Sequence, residues 1–147
     1  MQLSKSTNQT ADELSLQDSE SVEKPHPLKG KNILIVEDVM SNYKLLEAFL
    51  SSTGANLFHE EYGKSAIETF ISRGDIDLVL LDIRLPDGSG IDVVTKIREL
   101  NSKVIIIAQT AFAMFSDRIF CLNAGCNEYL SKPIKRRDFN EVIAKFF

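Results

Sequence analysis

The sequence has too few sulfur and imidazole side chains to build a structural zinc site. It contains two cysteines, Cys121 and Cys126, and two histidines in 147 residues, whereas structural zinc takes about four nitrogen or sulfur ligands. The two thiols lie five residues apart, and no further cysteine is present to extend a disulfide framework. We therefore expect reduced thiols in a cytoplasmic protein, with a Cys121–Cys126 disulfide as the less favoured alternative.

Long apolar runs and an excess of basic charge are also missing. No apolar stretch approaches the ~20 residues needed to cross a bilayer, and the N-terminus lacks the charged-then-apolar pattern of a signal peptide. The net charge is −4, and no basic stripe is available to neutralise phosphates. We expect neither a nucleic-acid partner nor membrane contact by this segment.

Residues 1–30 differ in composition from the rest of the chain. They hold no aromatic residue, are rich in serine, glutamine and acidic residues, and end in Pro25, Pro27 and Gly30. Such a stretch buries too little apolar surface to offset the entropy lost on ordering. We predict a disordered polar linker or tail over 1–30 and one folded domain over 31–147.

From Asn32 onward, short apolar runs alternate with amphipathic stretches. The predicted strands are Ile33–Glu37, Asn56–Glu60, Asp77–Asp82, Lys103–Ala108 and Asn127–Leu130. The predicted helices are Ser41–Ser52, Lys64–Ser72, Ile91–Leu100, Phe112–Asn123 and Arg137–Phe147. The second strand is the weakest and is expected at a sheet edge. The alternation predicts an α/β fold, a doubly wound five-stranded parallel sheet with helices on both faces.

Polar residues follow four of the apolar runs. Glu37 and Asp38 follow the first strand, Asp82 ends the third, and Thr110 and Lys132 follow the last two. Ligands bind at the carboxyl ends of the strands in an open parallel sheet. Three carboxylates, a hydroxyl and an ammonium group are therefore expected in one crevice, which suits a divalent cation and a phosphoryl group.

Three short segments and the Thr110–Ala111 step carry a family resemblance. The segments Ile35–Asp38, Leu81–Pro86 and Tyr129–Pro133 resemble the receiver (response-regulator) domain of two-component phosphorelays, from about Lys31 to the C-terminus. The resemblance implies a flavodoxin-like fold with sheet order 2-1-3-4-5 and phosphorylation of the central aspartate. The Lys132–Pro133 peptide bond is usually cis in this family, and the sequence leaves both isomers open.

The chemistry of the residues agrees with this resemblance. Asp82 would be the phosphoacceptor, since a carboxylate oxygen can attack phosphorus to form an acyl phosphate. Lys132 would give a point positive charge to one phosphoryl oxygen. Thr110 would give its hydroxyl to another, together with the backbone N–H of Ala111.

An anionic acceptor and an anionic donor require a counter-charge between them. Glu37, Asp38 and Asp82 form the predicted Mg²⁺ site, and the resemblance adds the backbone carbonyl of Arg84. Magnesium favours a few carboxylates, waters and a phosphate oxygen. Taken singly, each group has an ordinary explanation: a solvated acidic pair, an aspartate that begins a turn, a surface lysine. Their joint occurrence at successive strand ends favours the functional interpretation.

Other phosphate-binding folds fit the sequence less well. A haloacid-dehalogenase-type phosphatase needs a second acid two residues past its nucleophile, where this chain has Arg84. A flavodoxin needs a phosphate loop after the first strand, where Glu37 and Asp38 would repel the anion. A degenerate receiver that acts only as an interaction module would lack the acidic pair, the central aspartate, the threonine or the lysine, and all four are present.

The resemblance also implies a switch. Thr110 would move to meet the phosphoryl group and Tyr129 would rotate inward, which would alter the surface formed by the fourth helix, the fifth strand and the fifth helix. The simpler alternative is that Tyr129 is a partly buried strand tyrosine with its hydroxyl in water.

The predicted fourth helix carries more apolar residues than one buried stripe needs. Phe112, Phe115, Ile119 and Leu122 share one stripe, while Phe120 and Cys121 lie at other azimuths. Since a surface helix buries one stripe, surplus apolar side chains predict a docking face through Phe112, Phe115 and Phe120 for a partner or a second copy. The alternative is a shifted helix that folds them inward.

No output domain follows Phe147 in this sequence, so we expect no transcription-factor activity from it. The polar stretch before the domain favours the C-terminal receiver of a hybrid histidine kinase, tethered to a membrane-bound sensor, over a free-standing response regulator. The expected partner is a histidine kinase or a histidine phosphotransfer domain. We expect no turnover beyond self-phosphorylation and self-dephosphorylation at Asp82.

Overall fold

The computed structural model describes residues 24–111 and 115–147. The five strands are β1 Asn32–Val36, β2 Asn56–Glu60, β3 Leu78–Asp82, β4 Ile105–Thr110 and β5 Glu128–Ser131. The five helices are α1 Met40–Leu50, α2 Gly63–Arg73, α3 Gly90–Leu100, α4 Phe115–Ala124 and α5 Arg136–Phe146. The predicted bounds shift by a residue or two, except at α4, whose predicted start at Phe112 lies outside the described residues.

All five strands are parallel, in the order β2-β1-β3-β4-β5. This confirms the predicted fold class and sheet order. The central strand β3 is buried along its whole length, whereas β2 lies at an edge and is only partly buried. Burial on both faces explains why the inner strands consist of unbroken apolar runs.

The core has two layers, one on each face of the sheet. Ile33 and Ile35 pack with α1 and α5, and Leu34 and Val36 pack with α2, α3 and α4, because successive strand residues point to opposite faces. Both cysteines are free and buried in the second layer, which agrees with the expected reduced thiols. No helix in the described part of the chain has the length and hydropathy to cross a membrane.

One apolar residue before the first strand packs against the domain. Leu28, assigned to the polar tail, is 1% exposed and packs in the layer beneath α1 and α5. Its carbonyl accepts from Lys31 N–H, and Gly30 N–H donates to the carbonyl of Gly54. Leu28 thus packs with the domain although it lies within the segment predicted as a tail, because one apolar anchor is hard to recognise among prolines and charges. Residues 1–23 of the predicted tail lie outside the described residues.

The loop after β3 forms a short hairpin that is fixed to two helices. Arg84–Leu85 pairs antiparallel with Gly88–Ser89, within the segment predicted to be turn-rich. The Asp87 carboxylate at its tip accepts from the N–H groups of Gly63 and Lys64 at the start of α2. A side chain at Gly90 would collide with the carbonyl oxygen of Asp82, so only glycine permits this close return of the chain. The hairpin therefore holds the loop against the end of β3.

Candidate phosphoryl-transfer site

Three carboxylates meet where β1 and β3 end. Glu37 and Asp38 follow β1, and Asp82 is the last residue of β3, the neighbouring strand. One oxygen from each carboxylate lies within 4.8 Å of the others. Glu37 and Asp82 are buried, so their charges are only weakly screened by solvent. The structure thus brings together the acidic residues that the sequence predicted.

The ammonium group of Lys132 also reaches this acidic cluster, although Lys132 follows β5, the edge strand on the other side of the sheet from β2. Its Nζ donates to Asp82 Oδ2 at 2.6 Å and to Glu37 Oε1 at 2.9 Å. The Lys132–Pro133 peptide bond is cis, the isomer usual in the family that the sequence resembles. Three carboxylates with one ammonium leave the site with net negative charge, which favours a further cation.

Burial and charge act on the protonation of these groups. Burial raises the pKa of Glu37, and the nearby Asp82 charge adds to the rise; hydrogen bonds from Lys132 and Val39 oppose it. Burial alone would lower the pKa of Lys132, but its hydrogen bonds to Asp82 and Glu37 and their charges raise it overall. Lys132 is therefore a cation at neutral pH.

The Asp82 carboxylate is held at both oxygens. Its Oδ1 accepts from the backbone N–H of Arg84 at 2.9 Å, while Oδ2 accepts from Lys132. The backbone of Arg84, predicted to contribute a carbonyl to the metal, thus lies against the Asp82 carboxylate. The Arg84 side chain is exposed.

Thr110 ends β4, the strand beside β3, and is buried. Asp82 pairs in register with Gln109, so Thr110 stands one residue past the phosphoacceptor on the adjacent strand. Its carbonyl accepts from Lys132 N–H at 2.8 Å. Ala111 follows at the exposed rim. The sheet therefore places all the predicted phosphate-binding groups at one edge.

Tyr129 lies half-buried on β5, against the core layer of α2, α3 and α4. Its neighbour Glu128 is buried and was missed from the sequence. Glu128 pairs with Lys145 of α5 at 2.6 Å and with Arg118 of α4 at 3.3 Å. Burial alone would raise the pKa of Glu128, but Lys145, the Tyr129 N–H and Arg118 lower it overall. One buried acid therefore joins α4, β5 and α5.

The buried face of α4 differs from the predicted stripe. Cys121 points into the core, whereas Ile119 is 42% exposed and Phe120 is 65% exposed. The sequence grouped Ile119 with Phe112, Phe115 and Leu122 without assigning that stripe to the core, because α4 is apolar on several sides and periodicity alone selects no face. The exposure of Phe120 agrees with the predicted surplus. Phe112 and the side chain of Phe115 lie outside the described residues.

An open cleft of about 440 Å³ runs between this helix and the hairpin after β3. Thr110, Phe120 and Cys121 line one side of it, and Arg84 and Ser89 line the other. Burial, together with the nearby Asp117, raises the pKa of the Cys121 thiol. This cleft could not be predicted from the sequence, because its width depends on how far α4 stands from the hairpin.

Two further residues beside the site were missed from the sequence. His59 on β2 bonds the backbone carbonyl of Glu37 at 2.8 Å. Gln109 on β4 is buried, and its amide atoms have no hydrogen-bond partner in the described ranges. For Gln109 the available signal was a polar residue at the end of an otherwise apolar run, whereas the strand of His59 also carries Asn56 and Glu60 and offered no such contrast.

Comparisons with known proteins agree with this geometry. A family model described as the response regulator receiver domain matches residues 33–144. Hybrid signal transduction histidine kinase L of Dictyostelium discoideum is 37% identical over an alignment 134 residues long, which covers 86% of this chain and 8% of that protein. The chain thus spans a small part of that relative.

Two solved structures are informative. The receiver domain of the sensor histidine kinase PA1611 from Pseudomonas aeruginosa, with magnesium coordinated in its active-site cleft, is 37% identical, with a TM-score of 0.71 over 80% of this chain and 97% of that one. The second is the co-crystal structure of the Saccharomyces cerevisiae Ssk1 receiver domain with the histidine phosphotransfer protein Ypd1, which matches this chain at 29% identity. Its TM-score is 0.74, over 81% of this chain and 90% of that one.

Proposed function

The chain belongs to the response-regulator receiver family of two-component systems, and from that premise we propose that Asp82 accepts a phosphoryl group from a partner's phosphohistidine. One observation carries the proposal. Asp82 Oδ2 lies at the end of the central strand, 2.6 Å from the ammonium of Lys132, with the Glu37 and Asp38 carboxylates beside it. An acceptor oxygen, a fixed cation and a metal-binding acidic pair are the parts that the reaction requires.

The transfer exchanges one bond to phosphorus for another. A carboxylate oxygen of Asp82 attacks phosphorus, and the bond from phosphorus to the donor's imidazole nitrogen breaks. The electron pair of that bond goes to the ring nitrogen: a ring already protonated at its other nitrogen leaves as neutral imidazole, and an unprotonated ring takes up a proton from solvent to become neutral. The product is an acyl phosphate on Asp82. Lys132 then pairs with a phosphoryl oxygen, and the Thr110 hydroxyl and the Ala111 N–H serve the others.

The acidic cluster suits a magnesium ion. Its oxygens are the hard ligands that Mg²⁺ prefers, and they lie within 4.8 Å of one another. The single positive charge of Lys132 does not neutralise the three carboxylates. Glu37, Asp38 and Asp82, with the carbonyl of Arg84, would hold the ion. When bound, Mg²⁺ neutralises charge on the phosphoryl oxygens during transfer. The magnesium in the receiver of PA1611 supports this assignment.

The response is proposed to pass through Thr110 and Tyr129 to the surface of α4, β5 and α5. Phosphorylation places a group with about two negative charges beside Thr110, in place of the single charge of the carboxylate. Phe120 and Ile119 already stand exposed on α4, which supports a docking face there for a partner or a second copy. The full face is proposed to include Phe112 and Phe115.

We further propose that the domain works in a hybrid histidine kinase, in preference to a free-standing response regulator. The support is the similarity to hybrid kinase L of Dictyostelium discoideum. The phosphodonor would then be a kinase histidine or a histidine phosphotransfer domain, and the complex of the Ssk1 receiver with Ypd1 shows such a pairing for a related protein. A cytoplasmic location is part of this proposal.

The experiment is transfer from a labelled phosphohistidine protein. A phosphorylated histidine phosphotransfer domain is mixed with this chain, and the label is followed on a gel. Wild type should take the label in the presence of Mg²⁺, and Asp82→Asn should take none. Label that reaches Asp82→Asn as readily as wild type would contradict the proposed acceptor.

A further inference from the structure

Every polar atom of Glu37 is held by another part of the protein. Its N–H donates to the carbonyl of Glu60 at 3.0 Å. Its Oε1 accepts from Lys132 and its Oε2 from the backbone N–H of Val39. Its carbonyl oxygen accepts from His59 Nε2 at 2.8 Å. Only this last bond comes from a side chain of the edge strand.

The Glu37 carbonyl needs a side chain as its hydrogen-bond donor because the pairing of β1 and β2 ends before it. The register of the two strands ends with Val36 opposite Glu60, so the carbonyl of Glu37 lies one step past the paired residues. Glu37 is fully buried, and a buried carbonyl without a partner is costly. Because the acceptor is a carbonyl, His59 must carry its hydrogen on Nε2.

A ring of α1 fixes the direction in which His59 points. The rings of Tyr43 and His59 stack with centroids 3.8 Å apart and planes 10° from parallel. The Tyr43 hydroxyl in turn donates to Glu47 Oε2 at 3.3 Å. The imidazole is therefore clamped between its strand and α1, with Nε2 directed at the Glu37 carbonyl.

This bond acts on Asp38 through the peptide group. The Glu37 carbonyl and the Asp38 N–H belong to one planar unit, so fixing the carbonyl fixes the plane from which Asp38 extends. Within the described ranges, no hydrogen bond holds the Asp38 carboxylate itself, although one of its oxygens lies in the acidic cluster. Its direction toward the cluster therefore depends on its backbone.

We propose that His59 is a positioning residue for the divalent-cation site: by holding the Glu37–Asp38 peptide group, it aligns the Asp38 carboxylate with Glu37 and Asp82. The inference rests on the proposed metal-binding function and goes beyond it, since His59 touches neither the metal nor the phosphoryl group. The bond joins the edge strand and α1 to the loop that carries two of the metal ligands.

The test compares Mg²⁺ binding by His59→Leu, His59→Gln and wild type, measured by isothermal titration calorimetry. Loss of a residue that orients a metal ligand costs about 10–100-fold in affinity. We therefore expect His59→Leu to bind Mg²⁺ at least about tenfold more weakly. His59→Gln, which keeps an N–H donor, should recover part of the loss. The Mg²⁺ concentration for half-maximal phosphorylation should rise in parallel, with the rate at saturating Mg²⁺ unchanged.

Leu57→Ala is the matched control. Leu57 lies on the same strand and the same face, and packs against the core of α1 and α5 without bonding to the Glu37 loop. It should lose stability but keep its Mg²⁺ affinity. Equal weakening of binding in both variants, or unchanged affinity in His59→Leu, would overturn the role of His59.

A second readout needs no metal. The backbone amide of Asp38 shares its peptide group with the Glu37 carbonyl, so its ¹H–¹⁵N resonance should move in His59→Leu and stay near its wild-type position in Leu57→Ala. An unmoved Asp38 resonance would also overturn the inference. Failure of the wild type to bind Mg²⁺ while that resonance still moves would instead count against the proposed metal site alone.

Discussion

Lys132 binds Asp82 and Glu37 at the same time, with its Nζ 2.6 Å from one carboxylate and 2.9 Å from the other. The three residues follow or end β5, β3 and β1; β1 and β3 are neighbours, and β4 lies between β3 and β5. One ammonium group thus spans the carboxyl edge of the sheet and holds the phosphoacceptor against an acidic neighbour. This ammonium group should therefore contribute to the stability of the fold as well as to the proposed phosphoryl transfer.

Removal of this ammonium should destabilise the fold. In Lys132→Met, Glu37 and Asp82 lose the cation that bridges them while they lie buried beside each other, and breaking a buried pair in this way costs about 3 kcal/mol. Urea unfolding at pH 7 without divalent cations measures the loss. Adding Glu37→Gln removes one of the stranded charges, so the double variant should be more stable than Lys132→Met. A single variant as stable as wild type would contradict the role of Lys132 as the counter-ion.

Glu128 should make stability depend on acid pH. Its pKa lies below the ordinary value of 4.5 in the folded state, despite burial, because of Lys145, the Tyr129 N–H and Arg118. A lowered pKa means that the unfolded chain binds the proton of Glu128 more readily than the folded chain does. The ionised Glu128 side chain therefore stabilises the folded state above pH 4.5, and this stabilisation is lost as pH falls through the folded pKa.

The variant Glu128→Gln should lose about 2 kcal/mol at pH 7, as expected for charged hydrogen bonds, and should flatten the acid part of the stability curve. Urea unfolding between neutral and acid pH measures both effects. Glu141→Gln is the control, since Glu141 forms an exposed ion pair with Arg137 on α5 and should change little. If the stability of Glu128→Gln falls as steeply at acid pH as that of the wild type, the pairing of Glu128 with Lys145 and Arg118 is not the cause.

Gln109→Met should stabilise the protein. The Gln109 amide is buried without a hydrogen-bond partner in the part of the chain that the structure describes, and such a group costs about 1–3 kcal/mol. Methionine has nearly the same length and no polar atom to desolvate. We expect a gain of about 1 kcal/mol in the free energy of unfolding, read from a urea titration. A loss of stability would show that the amide is satisfied in solution.

The site could be predicted because it depends mainly on topology. In a parallel sheet the strand ends gather at one edge, so the positions of Glu37, Asp82, Thr110 and Lys132 in the sequence were enough to bring them together. The fold followed from the same alternation of apolar strands and amphipathic helices, with β2 correctly placed at an edge.

What the sequence did not reveal depends on three-dimensional details. The bond from His59 to Glu37 requires the β1–β2 register and the ring of Tyr43, neither of which a single sequence specifies. Leu28 is one apolar residue among polar ones, and its burial depends on a groove formed by distant helices. The buried face of α4 could not be selected from the sequence, because the apolar residues of this helix do not define a single stripe.

The most direct test of the central claim is intact mass after incubation with a small-molecule phosphodonor, with and without Mg²⁺. Wild type and Asp87→Asn, which alters a neighbouring exposed carboxylate, should each gain one phosphoryl group only when Mg²⁺ is present. Asp82→Asn should gain none. A phosphoryl adduct on Asp82→Asn equal to that of wild type, or a wild type that stays unmodified with both the small donor and a phosphohistidine protein, would contradict the account.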